Sequence, residues 1–364
     1  MKTVISGYQA TLILIVVTVS TTIITVPSLL VERAGRDAWV SVIFLTIYAL
    51  LFSLILAYLC HLMGRVDLIN FCRKTLGNIF TIPIALAIIT VFLALTGTVV
   101  RETSEVLQNA YLTRTPLWYL NVIIILTSAI LVYYGLESIA RSLEVLIYIF
   151  ITFFIFIMVL LINETSLNFI KPVLANGFKP ALVGVYPGLV FFSEIFVILI
   201  FAPNLTEKGK AFIPLIRTVL FSGFIIITTI LMSLLIFGPQ LTAKYSLPLI
   251  NLTSYVKKFM IIERMDPLFI FYWVGGGIFK SAIFLYVAVY VAQKLFNLKT
   301  HYRFIPVFIP PVFYISFNLF QNFTELNNFI LTSTPYFLSI LVFFPILLLV
   351  ISKIRGVNFA DKKT

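Results

Sequence analysis

Charge is scarce in this chain. Asp, Glu, Lys and Arg together make up 11% of its 364 residues, where a soluble domain carries about 25%. So few polar side chains cannot coat a water-soluble globule. A soluble enzyme, a nucleic-acid-binding module and a disordered protein are excluded as descriptions of the whole chain. Cysteine is nearly absent too. Cys60 and Cys72 show no metal-ligand spacing and are too few for a disulfide framework; they read as inert thiols in a reducing compartment. The two histidines, His61 and His301, lie far apart in sequence and argue for no catalytic or metal centre. No segment shows the alternating polarity of a membrane β-barrel strand. Stretches such as 147–162 are apolar on every side, which favours helices. A cleavable leader is not in evidence either. The apolar run after Lys2 continues to Val31, too long for a signal core and without a small-x-small cleavage site, so it is expected to be a retained helix.

What is abundant is apolar surface: 61% hydrophobic residues and a mean hydropathy of +1.09. A bilayer core needs about 20 apolar residues per helix. Ten stretches qualify, near 7–31, 38–60, 79–100, 116–134, 142–162, 181–202, 213–237, 267–293, 303–320 and 335–352. The ninth is the weakest, with Pro306, Pro310 and Pro311 in its first half. No loop is large enough for a separate soluble domain, so residues 1–364 read as a single polytopic membrane domain in a lipid bilayer. The longest connection, about 238–266, is expected on the outer side with a short helix ending at Glu263. Ten crossings put both termini on one side, and the loops of that side hold 15 Lys and Arg against 10 opposite. The more basic side faces the cytoplasm. The net charge of +12 then reflects topology and headgroup contact, with no nucleic-acid partner implied.

Two spans look interrupted. Span 1 concentrates Thr18, Ser20, Thr21, Thr22, Thr25, Pro27 and Ser28, and Pro27 removes a backbone donor. Span 6 carries Gly184, Pro187, Gly188, Ser193 and Glu194. They begin two five-helix halves, and an odd number of helices per half inverts the second. Interrupted helices at matching positions point to an inverted-repeat transporter site; close helix packing through small residues is the plainer alternative. The expected fold is therefore an all-α membrane protein of ten helices, two inverted five-helix repeats with helices 1 and 6 broken. Glu194 and Lys280 sit deep in spans 6 and 8, where an ionised group costs about 2.5–3.5 kcal/mol on insertion scales. They read either as a ligand or coupling-ion site or as an interhelical ion pair, and the two are compatible. Arg101 with Glu105, and Glu137 with Arg141, read as ordinary i, i+4 pairs near helix ends. Gly275–Gly277 lacks the context of a phosphate loop and suits close backbone approach. Trp118 and Trp273 suit interfacial anchoring.

Several short motifs occur in order along the whole chain: Thr115-Pro116 after Arg101 and Glu105; Gly135-x-Glu137 followed by Arg141 and Glu144; Pro172-Val173-Leu174 with Gly177; Phe191 to Glu194 with Pro203; and Ile262-Glu263-Arg264-Met265-Asp266 followed by Trp273 and Lys280. As a set they resemble the B-subunit, permease-like family of endospore germinant receptors, related to the amino acid–polyamine–organocation transporters. The resemblance implies a nutrient sensor in the inner membrane of the endospore. Its partners would be a small-molecule germinant (an amino acid, sugar or nucleoside), an A-subunit membrane protein and a C-subunit lipoprotein. One departure is the break of span 1, where the family often has glycines and this chain has Thr21-Thr22-Ile23-Ile24-Thr25.

The expected pocket lies mid-membrane between spans 1, 3, 6 and 8. Thr21, Thr22 and Thr25 would supply hydroxyl or backbone groups, and Phe191 and Phe192 an apolar wall. Gly188 and Ser193 belong to the span 6 break. Glu194 would meet a ligand cation, while Lys280 would meet its anion or stand in for a sodium ion. The rival reading is an autonomous secondary transporter of amino acids using the same pocket. No cofactor is expected. No nucleophile–base pair shares a plausible depth, so no enzymatic activity is expected.

Overall fold

In the computed structural model residues 4–206, 210–245, 247–256, 266–300 and 302–359 are described, with 110, 254–256 and 266–272 by main chain alone. Helices dominate. Among the described residues, the only extended pairing is an isolated parallel bridge between Ile5 and Leu205. Eight helical stretches there are long and apolar enough to cross a membrane, as a multi-pass membrane protein requires. The difference from ten spans has a local cause. The first apolar run is divided into α1 (Gly7–Val19) and α2 (Thr22–Ala34), each of 13 residues. The proline-rich helix α14 (Ile305–Asn318) has only 14.

The interruption of the first run falls at Ser20–Thr21, and Pro27 lies inside α2. After the turn at Gly35–Asp37 come α3 (Ala38–Met63) and the short α4 (Leu68–Leu76), which is capped by the Asp67 carboxylate. Then follow α5 (Asn78–Ala110), α6 (Leu117–Tyr134) and α7 (Leu136–Leu161). Gly135 separates α6 from α7 at φ +87°, a backbone conformation that favours glycine.

The sixth run does not open into a gap. It alternates α8 (Lys179–Gly184), α9 (Leu189–Ser193) and α10 (Ile198–Phe201) with tight 3₁₀ turns at Tyr186–Gly188, Glu194–Val197 and Ala202–Asn204. Pro187 has no N–H to continue an α-turn, consistent with tighter winding there. Next, α11 (Phe212–Lys244) kinks at Gly238, and α12 (Pro248–Val256) occupies the long connection. The expected helix end at Glu263 and the Ile262–Met265 motif lie outside the described residues, as do Lys208 and His301. The chain ends with α13 (Asp266–Leu295), α14, α15 (Phe323–Leu338) and α16 (Phe344–Ile354), the last two joined by a π-turn at Ser339–Phe343.

Packing sets where the site falls. Helix α13 runs along α5 and touches α1, α6 and α7, while α11 backs α1, α2 and α3. Both described ends of the chain lie near α4: Val4 shares a cavity with Asp67, and Phe359 packs edge-on against Phe71. Arg101 and Glu105 are buried and paired at 2.7 Å, with Arg101 also 3.4 Å from the Ser316 carbonyl. This corrects their reading as an ordinary helix-end pair: α5 continues past its apolar run, and α14 covers it. Glu137 and Arg141 do form an exposed pair. Trp273 is 2% exposed, so it is an interior residue and not an interfacial anchor.

Candidate functional site

The site begins with the break at Ser20–Thr21. Helix ends leave carbonyls and N–H groups without intrahelical partners. Here the end of α1 meets the start of α2 inside the bundle, with Ser20 and Thr21 both near helical conformation and the Ser20 amide bonded to the Val16 carbonyl. The Thr21 carbonyl accepts from the Ile24 and Thr25 amides at 3.1 and 3.3 Å. Close approach of α13 is possible because Gly276 and Gly277 carry no Cβ. A Cβ on Gly276 would lie 2.9 Å from that of Ser20, and one on Gly277 would collide with Thr103.

One turn beyond these glycines, Lys280 points into the break. It is fully buried; its Nζ lies 2.8 Å from Glu194 Oε2 and donates to Thr21 Oγ1 at 2.9 Å. Its ammonium also sits 5.3 and 5.4 Å from the ring centroids of Phe191 and Phe284, within cation–π range. Three helical runs distant in sequence therefore meet at one ammonium.

A further charged residue, absent from the sequence reading, belongs here. Glu102 on α5 is 2% exposed. The Thr25 hydroxyl, which donates to the Thr21 carbonyl at 3.2 Å, lies beside it, and Lys280 and Glu194 lie within electrostatic reach. Its Oε1 has no hydrogen-bond partner among the described residues, nor do the buried hydroxyls of Ser20 and Thr22. The apolar run of span 3 ends at Val100, and Arg101 reads as a helix end, so Glu102 fell outside the span. Its signal was Thr98, four residues earlier on the same helix face, which carries polar positions beyond the apolar run.

Of the residues singled out from sequence, Thr21, Thr25, Phe191, Glu194 and Lys280 are brought together, with Thr22 in the first turn of α2. Gly188 and Ser193 face elsewhere. A side chain at Gly188 would strike Leu45 of α3, and Ser193 Oγ lies 2.6 Å from Tyr48 Oη on the same helix. Phe192 is buried in the apolar core.

A cavity of about 490 Å³ opens near α4, lined by Val4, Asp67, Pro203, Thr206, Tyr286, Tyr290 and Lys294, among others. Tyr286 stacks on Tyr290 at 5.9 Å, and Lys294 Nζ lies 5.3 Å from the Tyr290 centroid and 3.8 Å from Asp67. These residues are further along α13 than Lys280. Main-chain bonds of Ile5 to Asn204 and Thr206, at 2.9 and 3.0 Å, tie the chain before α1 to the end of the sixth run. No group of three or more His, Cys, Asp or Glu suited to a metal ion occurs among the described residues.

Comparison with known proteins places this arrangement. Residues 4–326 match a family model, Spore_permease, described as "Spore germination protein". Spore germination protein YndE of Bacillus subtilis (strain 168) is 28% identical over 359 residues, covering 96% of this chain and 97% of that protein. Spore germination protein KB of the same organism is 25% identical over 329 residues, 88% of each. Among solved structures, Mhp1, a nucleobase-cation-symport-1 family transporter in a closed conformation with bromovinylhydantoin bound, is similar with a TM-score of 0.69. That match covers 98% of this chain and 84% of Mhp1 at 13% identity, and speaks to fold alone.

Proposed function

The chain belongs to the spore-permease family of spore germination proteins, and from that premise we propose that it is the nutrient-sensing subunit of a germinant receptor. A small solute (an amino acid, sugar or nucleoside) binds mid-membrane at the break between α1 and α2 and shifts the balance between two arrangements of the bundle. Partner subunits, an A-subunit membrane protein and a C-subunit lipoprotein, read that shift. The chain is one polytopic domain of two inverted five-helix repeats in the endospore inner membrane, with both termini cytoplasmic.

The observation that carries this reading is the joining of Lys280, Glu194 and Thr21 at a helix break. A buried polar cluster against unwound backbone is where transporters of this architecture hold solutes. The likeness to Mhp1, closed around its compound, supports such a site in a compact bundle. In this reading Thr21, Thr22 and Thr25 supply polar groups, Phe191 the apolar wall with Phe192 in the core behind it, and Glu194 and Lys280 the charges. Gly188 and Ser193 act from behind, through the packing of the sixth run on α3.

The cavity near α4 favours a second reading, an autonomous secondary transporter of amino acids, because Tyr286, Tyr290 and Lys294 of its lining follow Lys280 along α13. Deleting the chain is expected to abolish the germination response to one nutrient class, and Thr22→Phe to do the same at normal protein level. Vesicles containing this chain alone are expected to show no uptake of that nutrient. Uptake would establish the transporter instead. A full germination response without the chain would overturn the sensor.

A further inference from the structure

Among the described residues, Glu102 is the carboxyl group of the buried cluster that makes no ion pair. The Lys280 ammonium is committed to Glu194 at 2.8 Å and Thr21 at 2.9 Å. Glu102 has the Thr25 hydroxyl against it, and the charged groups acting on it across helices are Lys280 and Glu194. On its own helix, Arg101 and Glu105 are taken up with each other at 2.7 Å. Its Oε1 is unpartnered, as are the Ser20 and Thr22 hydroxyls. Buried polar atoms of a native protein normally have partners, so orphans grouped around one break point to a group outside the chain. Charge points the same way. Two carboxylates face one ammonium, and an uncompensated negative charge inside a membrane protein is costly.

We infer that Glu102 recognises a cation: the solute of the mid-membrane site carries a protonated amine that docks on Oε1, and in its absence a proton occupies the same carboxylate. This rests on the solute-binding reading above and narrows it from small nutrients in general to amines. Neutral sugars and nucleosides bring no positive charge to balance the cluster. The exchange is balanced. In the empty site Glu102 is a carboxylic acid; on binding, its O–H bond breaks, the proton leaves to bulk water, and the carboxylate accepts N–H bonds from the ammonium. For a cationic amine that brings no carboxylate of its own the cluster stays neutral in both states, and one proton is released per amine bound.

The test uses the full chain in lipid nanodiscs, titrated with L-alaninamide, n-butylamine, D-glucose and inosine by calorimetry in two buffers of different protonation enthalpy. An amine probe is expected to bind with release of about one proton, as one carboxyl group ionises, while glucose and inosine give no binding heat. Glu102→Gln is expected to weaken amine binding about tenfold or more and to abolish proton release. Glu102→Asp keeps the charge and is expected to keep both the selectivity and the release. Infrared difference spectra should show a carboxylic-acid carbonyl band that is lost when the amine binds and is missing in Glu102→Gln. Glucose or inosine binding that ignores Glu102→Gln overturns this inference alone and leaves solute binding standing, as does amine binding without proton release. Binding of neither class, with no carboxylic-acid band, overturns both.

Discussion

Lys280 and Glu194 form an ion pair at 2.8 Å from which water is almost wholly excluded, their side chains being 0% and 2% exposed. Removing one partner of such a pair leaves a bare charge in the interior and typically costs about 3–5 kcal/mol. The two halves are not equivalent here, because Glu102 faces the same ammonium. Lys280→Met leaves the Glu194 carboxylate without a cation and is expected to cost that full amount. Glu194→Gln leaves Lys280 beside Thr21 and a second carboxyl group, Glu102, that can ionise in place of Glu194, and is expected to cost less. Thermal unfolding of the purified variants checks the order; equal losses would show that Glu102 does not take over the pairing.

The approach of α13 to the break depends on a missing side chain. Gly277→Ala places a methyl group into Thr103, and overpacking of this kind costs roughly 1–3 kcal/mol. Combining it with Thr103→Ala removes the hydroxyl and methyl that collide, although a Cβ at 277 would still lie 3.2 Å from that of residue 103. Partial recovery of the unfolding midpoint is therefore expected in the double variant.

Arg101–Glu105 and Arg141–Glu137 have the same sequence spacing and near-equal lengths, 2.7 and 2.6 Å. Burial separates them. Arg101→Met strands Glu105 under α14 and is expected to destabilise by about 3 kcal/mol or more. Arg141→Met removes an exposed pair and is expected to change stability by about 0.5 kcal/mol or less. Comparing the two unfolding midpoints decides whether α14 depends on the Arg101 contact.

Cys72, in α4, is buried, and burial together with the nearby Asp67 carboxylate pushes its thiol pKa upward. Cys60 is buried as well. The thiolate is the reactive form, so little of Cys72 is nucleophilic in mildly alkaline solution. A maleimide reagent at pH 8 is expected to label neither cysteine until the protein is denatured. Mass spectrometry of the intact chain reads this directly.

Apolar runs made most of the helices legible, since their residues form the membrane-length segments of the structure. What sequence conveyed poorly was direction. Gly188 and Ser193 stand among the residues of the sixth run that suggested a pocket, yet their turns point at Leu45 and Tyr48 of α3. Tight 3₁₀ winding shifts the angular spacing of side chains away from the α-helical pattern. Glu102 was hidden for a different reason: hydropathy places a span's end at the first charge, whereas α5 continues to Ala110. Its terminal polar residues are buried by neighbours from distant parts of the chain. Glu194 and Lys280 were legible because each interrupts an otherwise apolar run.

Thr21 and Lys280 are 259 positions apart. During synthesis, then, the first apolar run reaches the membrane with its Ser20–Thr21 break long before the ammonium that answers it exists. The same delay holds for Ile5, which waits for Asn204 and Thr206. The broken segment must spend most of its biogenesis with exposed polar backbone, held by the insertion machinery or by temporary neighbours. The contact that covers the first break is thus made late in chain order, and a nascent chain truncated before α13 should leave the Ser20–Thr21 turn open to quality-control proteases.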